Sequence, residues 1–221
     1  MIGGILQAIG WVFLPFLAWP IVHLRFGRKP FIRSFSEALI SLIDSVIYRL
    51  GEAAKWLLPL LVLSVAASVF ALSIFGVTTT KWLESARYFQ AFIIMLGAAT
   101  ALLASQHVRI DIFHTRMSAI GKARVDLIGY LILLLPACIL LVWNAQSFVS
   151  VAWSIREGSS EADGIRGVYV LKTLIPIFAI TMLTQGLAIA TRAAMTIQGQ
   201  TRPERPKNIP PFFTSSSETT L

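Results

Sequence analysis

From Trp56 to Phe75 the chain runs without a single charged side chain. A bilayer core of about 30 Å asks a helix for about 20 consecutive apolar residues, and this stretch supplies them. Long, mostly apolar runs recur at Phe92–Ala104, Leu127–Trp143 and Val168–Ala190. Backbone groups in lipid must find partners within the protein, which leaves helices or closed barrels as spanning structures. Barrel strands would alternate over segments of about ten residues, a pattern absent here, so the runs read as an all-α membrane protein. Composition agrees: 56% of the residues are hydrophobic and only 14% charged, against about a quarter charged in soluble domains.

Orientation follows from the loops. Gln106–Phe113 lies between two apolar runs, in a turn that carries Arg109, Arg116, Lys122 and Arg124 against Asp111 and Asp126. Lys and Arg near span ends favour the cytoplasmic side. With this turn inside, fourteen basic residues fall on the cytoplasmic side and five outside. The net charge of +8 therefore sits in loops flanking spans; anionic lipid and topological sorting account for it, and no nucleic-acid partner is expected. The plain reading of Arg109 and Asp111 is a solvated pair at the membrane edge. Cys138 is the only cysteine, so neither an intrachain disulfide nor a thiolate metal cluster can form.

Taken in order, residues 1–33 form an extra hydrophobic segment and a basic loop. Met1–Val22 is apolar apart from Gln7 and lacks the basic start of a signal peptide. It reads as a further membrane helix with its N-terminus outside; Pro15 and Pro20 leave a re-entrant or surface-lying segment as the alternative. Ser34 and Glu37 have capping-box spacing, opening an amphipathic helix over 34–50. Its stripe of Phe35, Ala38, Leu39, Leu42, Ile43, Val46, Ile47 and Leu50 opposes Glu37, Ser41, Asp44, Ser45 and Arg49. Flanked by spans, such a helix suits the interface or a partner. Spans are expected near 56–75, 85–104, 127–146 and 168–190, within one membrane domain over 34–196. Glu84 reads as an exposed charge at the outer interface, or as a contact with another subunit. Lys172 is placed to snorkel outward, and Glu157, Ser159 and Ser160 to cap the last helix. Residues 197–221, rich in Pro, Ser and Thr, read as a disordered cytoplasmic tail.

No glycine-rich phosphate loop, metal-ligand cluster or nucleophile paired with a base is present in the sequence. No catalytic residue, metal, substrate-binding residue or cofactor is therefore expected. The spans hold no deep Asp, Glu, Lys or Arg, which ion-coupled transporters commonly place near the midplane. A self-sufficient small transporter would need such groups or internal repeats, and a membrane enzyme a catalytic cluster. The chain looks like an accessory to transport.

Three groups of residues carry a more specific resemblance. Trp82-Leu83-Glu84 leads through Met95-Leu96-Gly97-Ala98-Ala99 to His107-Val108-Arg109-Ile110-Asp111-Ile112-Phe113; Glu157-Gly158-Ser159-Ser160 follows; Lys172 precedes Ile175-Pro176 and Gln185-Gly186-Leu187. Their order among four spans resembles the small membrane subunit (DctQ type) of tripartite ATP-independent periplasmic (TRAP) transporters, over about Ser36–Thr196. The resemblance implies a four-helix transmembrane bundle in the bacterial cytoplasmic membrane, multi-pass, with its C-terminus cytoplasmic. It implies a heterodimer with a large membrane subunit, a periplasmic solute-binding protein that delivers organic acids or related solutes, and sodium symport. In that picture the small subunit is a scaffold bracing the large one, and it helps dock the binding protein. His107, Arg109 and Asp111 fall in the family's inner motif, and Glu157, Ser159, Ser160 and Lys172 in the outer one. Asp163 and Arg166 depart from the family's turn.

Overall fold

The computed structural model describes residues 16–77, 79–104 and 117–200. All regular structure among them is helical. A short α1 (Trp19–Phe26) precedes α2 (Pro30–Lys55), α3 (Leu57–Phe75) and α4 (Thr80–Leu103). Next, α5 (Ala119–Ile128) runs through a π-helical turn (Gly129–Leu134) into α6 (Leu135–Ser154), and α7 (Val168–Ile197) completes the bundle. Among the described residues, four helical stretches are long and apolar enough to cross a membrane: Pro30–Phe75, Thr80–Leu103, Ala119–Ser154 and Val168–Ile197.

Prolines set several of these boundaries. Lys29 is extended, as a residue before proline prefers, and Pro30 takes the first helical position, where its missing N–H costs nothing. Ser34 consequently lies inside α2 and caps nothing; the expected capping box is not formed, and Glu37 instead pairs with Arg33 at 2.9 Å. Pro59 would clash with the carbonyl four residues before it, at Lys55, where α2 ends. Pro136 stands in the same relation to Ile132, and there the helix widens into its π turn rather than breaking. Gly76, at φ +65°, ends α3.

The packing centre is α7. Along it Ala179, Gly186, Ala188, Ala190, Ala193 and Ala194 are buried, and such small residues let neighbouring helices approach closely. At Gly186 a Cβ would lie 2.3 Å from Leu134 Cδ2. Ile40, Ile43 and Ile47 of α2, Ala99 and Leu103 of α4, and Leu127 and Tyr130 of the α5–π stretch join α7 in one core. By contrast α3 lies on the outside against α4 and buries only Ser68.

The bundle takes only half of the α2 stripe. Ile43 and Ile47 of the stripe face inward together with Asp44 from the polar face and with Ser36 and Ile40, which lie in neither group. Phe31, Phe35, Leu42 and Val46 face outward. Asp44, expected on the solvated face, is 1% exposed.

At the other edge α1 runs in the same direction as α7. Leu17 is buried among Cys138, Ala179 and Leu183, while His23, six residues on, lies against the end of α7. Gln198 donates to the carbonyls of His23 and Leu24, and Gln200 to that of Gly27. Leu24 and Gly27 thereby gain donors at the end of a short helix, while the His23 carbonyl also accepts the Gly27 amide at 2.7 Å. The readings made on residues 1–15, on His107, Arg109 and Asp111, and on the tail from residue 201 lie outside the described residues.

Candidate functional site

Loop 155–167 joins α6 to α7 at one end of the bundle. It starts from a tight reversal: Arg156 adopts a left-handed conformation (φ 46°). The Glu157 amide then donates to the Ala152 carbonyl at 2.9 Å, and the Arg156 amide to that of Trp153 at 3.3 Å. This is the Schellman closure of a helix, with arginine where glycine is usual. At the far side Trp153 Nε1 donates to Thr173 Oγ1 at 2.9 Å, and its ring meets Tyr169 edge-on at 4.8 Å. The two helix ends are thus joined beneath the loop.

Glu84, in the first turns of α4, is the loop's third anchor. Its Oε1 accepts from the Ser159 hydroxyl and its Oε2 from the Ile165 amide, the latter at 2.6 Å. The Ser159 amide donates to the Ile165 carbonyl at 3.1 Å, closing the loop on itself. Gly164 permits this: a Cβ there would sit 2.2 Å from Ser159 Cβ and 3.0 Å from Glu84 Oε1. The expectation of an exposed Glu84 is therefore corrected, since the residue is 7% exposed. Two donors, one of them a backbone amide from the loop, make that burial tolerable for a carboxylate.

The other loop residues singled out from sequence divide. Glu157 Oε2 lies 2.5 Å from Lys172 Nζ, and both side chains are largely covered. The same ammonium sits 3.9 Å above the Phe148 ring, so Lys172 is drawn inward by a carboxylate and an aromatic face. Ser160 is exposed. None of these side chains caps α7: Gly167 holds that position without a side-chain bond. The backbone carbonyl of Glu157 accepts the Tyr169 amide instead, at 3.4 Å. The side chains are engaged elsewhere, and the chain reversal brings a carbonyl to the same place. Asp163 pairs with Lys81 at 2.6 Å, but both are more than half exposed and add little.

The opposite end of the bundle holds a polar cluster that periodicity did not reveal. Arg192 NH2 donates to Asp44 Oδ2, and NH1 to Oδ1 at 3.3 Å. Gln185 Nε2 lies 3.5 Å from the same oxygen. Nearby, Ser36 Oγ receives Trp19 Nε1 at 2.9 Å and meets His23 Nδ1 at 2.7 Å, while His23 Nε2 faces Gln200 Oε1 at 3.2 Å. Ser36 and Gln200 thereby tie α1 to α2 and to the end of α7. The signal for these contacts was slight: polar residues flanking an apolar stripe, with partners far along the chain.

What this architecture offers is a rigid loop clamped to three helices, and among the described residues no assembled set of reacting groups. Residues 51–196, about two thirds of the chain, match the family model described as "Tripartite ATP-independent periplasmic transporters, DctQ component". No curated protein and no solved structure matches the chain.

Proposed function

The chain belongs to the DctQ-component family of tripartite ATP-independent periplasmic transporters, and on that premise we propose that it braces the large membrane subunit and presents loop 155–167 to the periplasmic binding protein. It is a multi-pass membrane protein and a transporter component rather than an enzyme family member. The large subunit and the binding protein are the partners that membership implies. In our reading the large subunit carries the substrate and sodium sites, and uptake of organic acids or related solutes is driven by sodium. The protein lies in the bacterial cytoplasmic membrane, with residues 106–124 and the C-terminus inside and loop 155–167 outside. Outward-facing charge is sparse and inward-facing charge dense in this arrangement, as basic residues prefer.

The observation that carries this reading is the anchoring of loop 155–167 by Glu84, Glu157 and Lys172. A partner that docks on an already ordered surface loses less freedom on binding than one that must order a mobile loop. Glu157, Ser159, Ser160 and Lys172 remain the outer candidates, and His107, Arg109 and Asp111 the inner ones.

Reconstitution tests the proposal. In liposomes with a sodium gradient and the binding protein, the chain alone should move no substrate, while addition of the large subunit should restore uptake. Uptake by the lone chain would make it a self-sufficient transporter. A Glu157→Ala/Ser160→Ala double variant should still insert and co-purify with the large subunit, yet transport more slowly. Normal assembly with normal transport would remove the docking role.

A further inference from the structure

The α1–α2 corner lies outside the residues that match the family, and its chemistry is of another kind. Gln198 and Gln200, just beyond the last residue of α7, hold the carbonyls of His23, Leu24 and Gly27. That grip sets the corner at the level where a spanning helix leaves the apolar core. Arg25, Arg28 and Lys29 are exposed there, and none is in an ion pair with a carboxylate among the described residues. Phe26, 48% exposed, stands between two of them, with Arg25 Cζ 6.0 Å and Lys29 Nζ 5.5 Å from its ring centre. Phe31, one residue into α2, is 79% exposed.

We propose that this corner is a binding site for the phosphate headgroups of anionic phospholipids, with Arg25, Arg28 and Lys29 as the cationic contacts and Phe26 and Phe31 as interfacial anchors. Three uncompensated cations at a bilayer edge complement a phosphodiester surface. Aromatic rings beside them sit at the depth where headgroup meets acyl chain. The outward half of the α2 stripe continues the same plan, since Phe35, Leu42 and Val46 extend the apolar surface along a helix whose other side is fastened to the bundle. A polar rim over an exposed apolar flank is the arrangement of a helix lying in the interface. The inference needs only that the long helices cross a bilayer, and it stands whatever this subunit does in transport.

Each basic residue near an anionic surface adds about fivefold to affinity, so three together are worth about a hundredfold. The full-length protein, purified in a neutral detergent, is titrated with phosphatidylglycerol and with phosphatidylcholine, and retained lipid is read by native mass spectrometry. The parent should retain phosphatidylglycerol in preference to phosphatidylcholine. Arg25→Gln/Arg28→Gln/Lys29→Gln should lose most of that preference while its unfolding temperature in lipid-free detergent stays unchanged. Lys122→Gln/Arg124→Gln, which removes two basic residues of α5 instead, should keep it. An undiminished preference in the triple variant would overturn the site. So would displacement of the lipid by millimolar inorganic phosphate, which would make it a free-anion site. Loss of large-subunit co-purification with lipid preference intact would make the corner a protein contact and equally overturn the proposal.

Discussion

Arg192, late in α7, engages both carboxylate oxygens of Asp44, 148 positions earlier in α2. Asp44 keeps 1% of its exposure and Arg192 9%. The pair welds the amphipathic helix to the packing centre of the bundle, with Gln185 against the same carboxylate. Arg192 Nε and Gln185 Oε1 are left without a hydrogen-bond partner among the described residues.

Removing one member of such a pair strands a buried charge, which costs about 3–5 kcal/mol, whereas replacing both by apolar groups of similar size is often neutral. Arg192→Met should therefore lower the unfolding temperature in detergent sharply, and Asp44→Leu/Arg192→Met should recover most of the loss. A single variant as stable as the parent would show that the charge is not buried.

A close approach between α2 and α4 makes a second prediction. A Cβ on Gly51 would lie 2.4 Å from Thr100 Oγ1 and 2.8 Å from Thr100 Cβ, and that hydroxyl donates to the Ile47 carbonyl at 3.0 Å. Gly51→Ala should push the helices apart, at a cost of about 1–3 kcal/mol for overpacking. Thr100→Ala added to it should return part of the stability, because the nearest atoms are then gone while Cβ remains. Chemical unfolding of the two variants checks the order.

The spans were legible because a bilayer decides by composition: an uncharged run such as Trp56–Phe75 can cross it without regard to its neighbours. The motif residues of α4, the loop and α7 pointed to the family for the same local reason. Contacts between distant elements were not legible. Periodicity says which residues of α2 share a face, and it correctly grouped Ile43 with Ile47. It cannot say which half of the stripe the bundle covers, so Asp44 read as solvated until Arg192 met it. Glu84 read as exposed because carboxylates seldom lie buried unpaired; its partners, a serine and an amide, come from a loop 75–81 positions away. The left-handed Arg156 gives no sign in sequence, since glycine is the residue expected there.

His23 supplies a pH dependence. It is fully buried, and burial holds its imidazole below the ordinary value of 6.5, against the hydrogen bond to Gln200 that raises it. As pH falls, the unfolded chain binds the proton first, so the folded state loses ground. The stability that His23 contributes is intact above about pH 6.5 and declines as pH drops from there towards the lower folded value. Between pH 8 and pH 5 the parent should lose more thermal stability than His23→Gln, which cannot titrate. Parallel losses in both proteins would remove His23 from the acid response.

The last prediction concerns Glu84 and the stiffness of loop 155–167. Its carboxylate receives the Ser159 hydroxyl and the Ile165 amide, and hydrogen bonds to a charged acceptor are stronger than neutral ones. Glu84→Ala leaves both donors unpaired without touching the apolar body of α4, so membrane insertion should be unchanged while the loop opens. Glu84→Gln keeps one acceptor oxygen and turns an NH2 towards the other donor, so it should fall between parent and alanine. Arg156 and Arg166, both exposed, give trypsin a direct readout of opening. Cleavage should quicken in the order parent, Gln, Ala, and uptake by the assembled transporter should fall in the same order. If cleavage quickens and uptake holds, the loop is anchored as described but its rigidity does not serve the binding protein; if cleavage does not quicken, Glu84 is not the anchor.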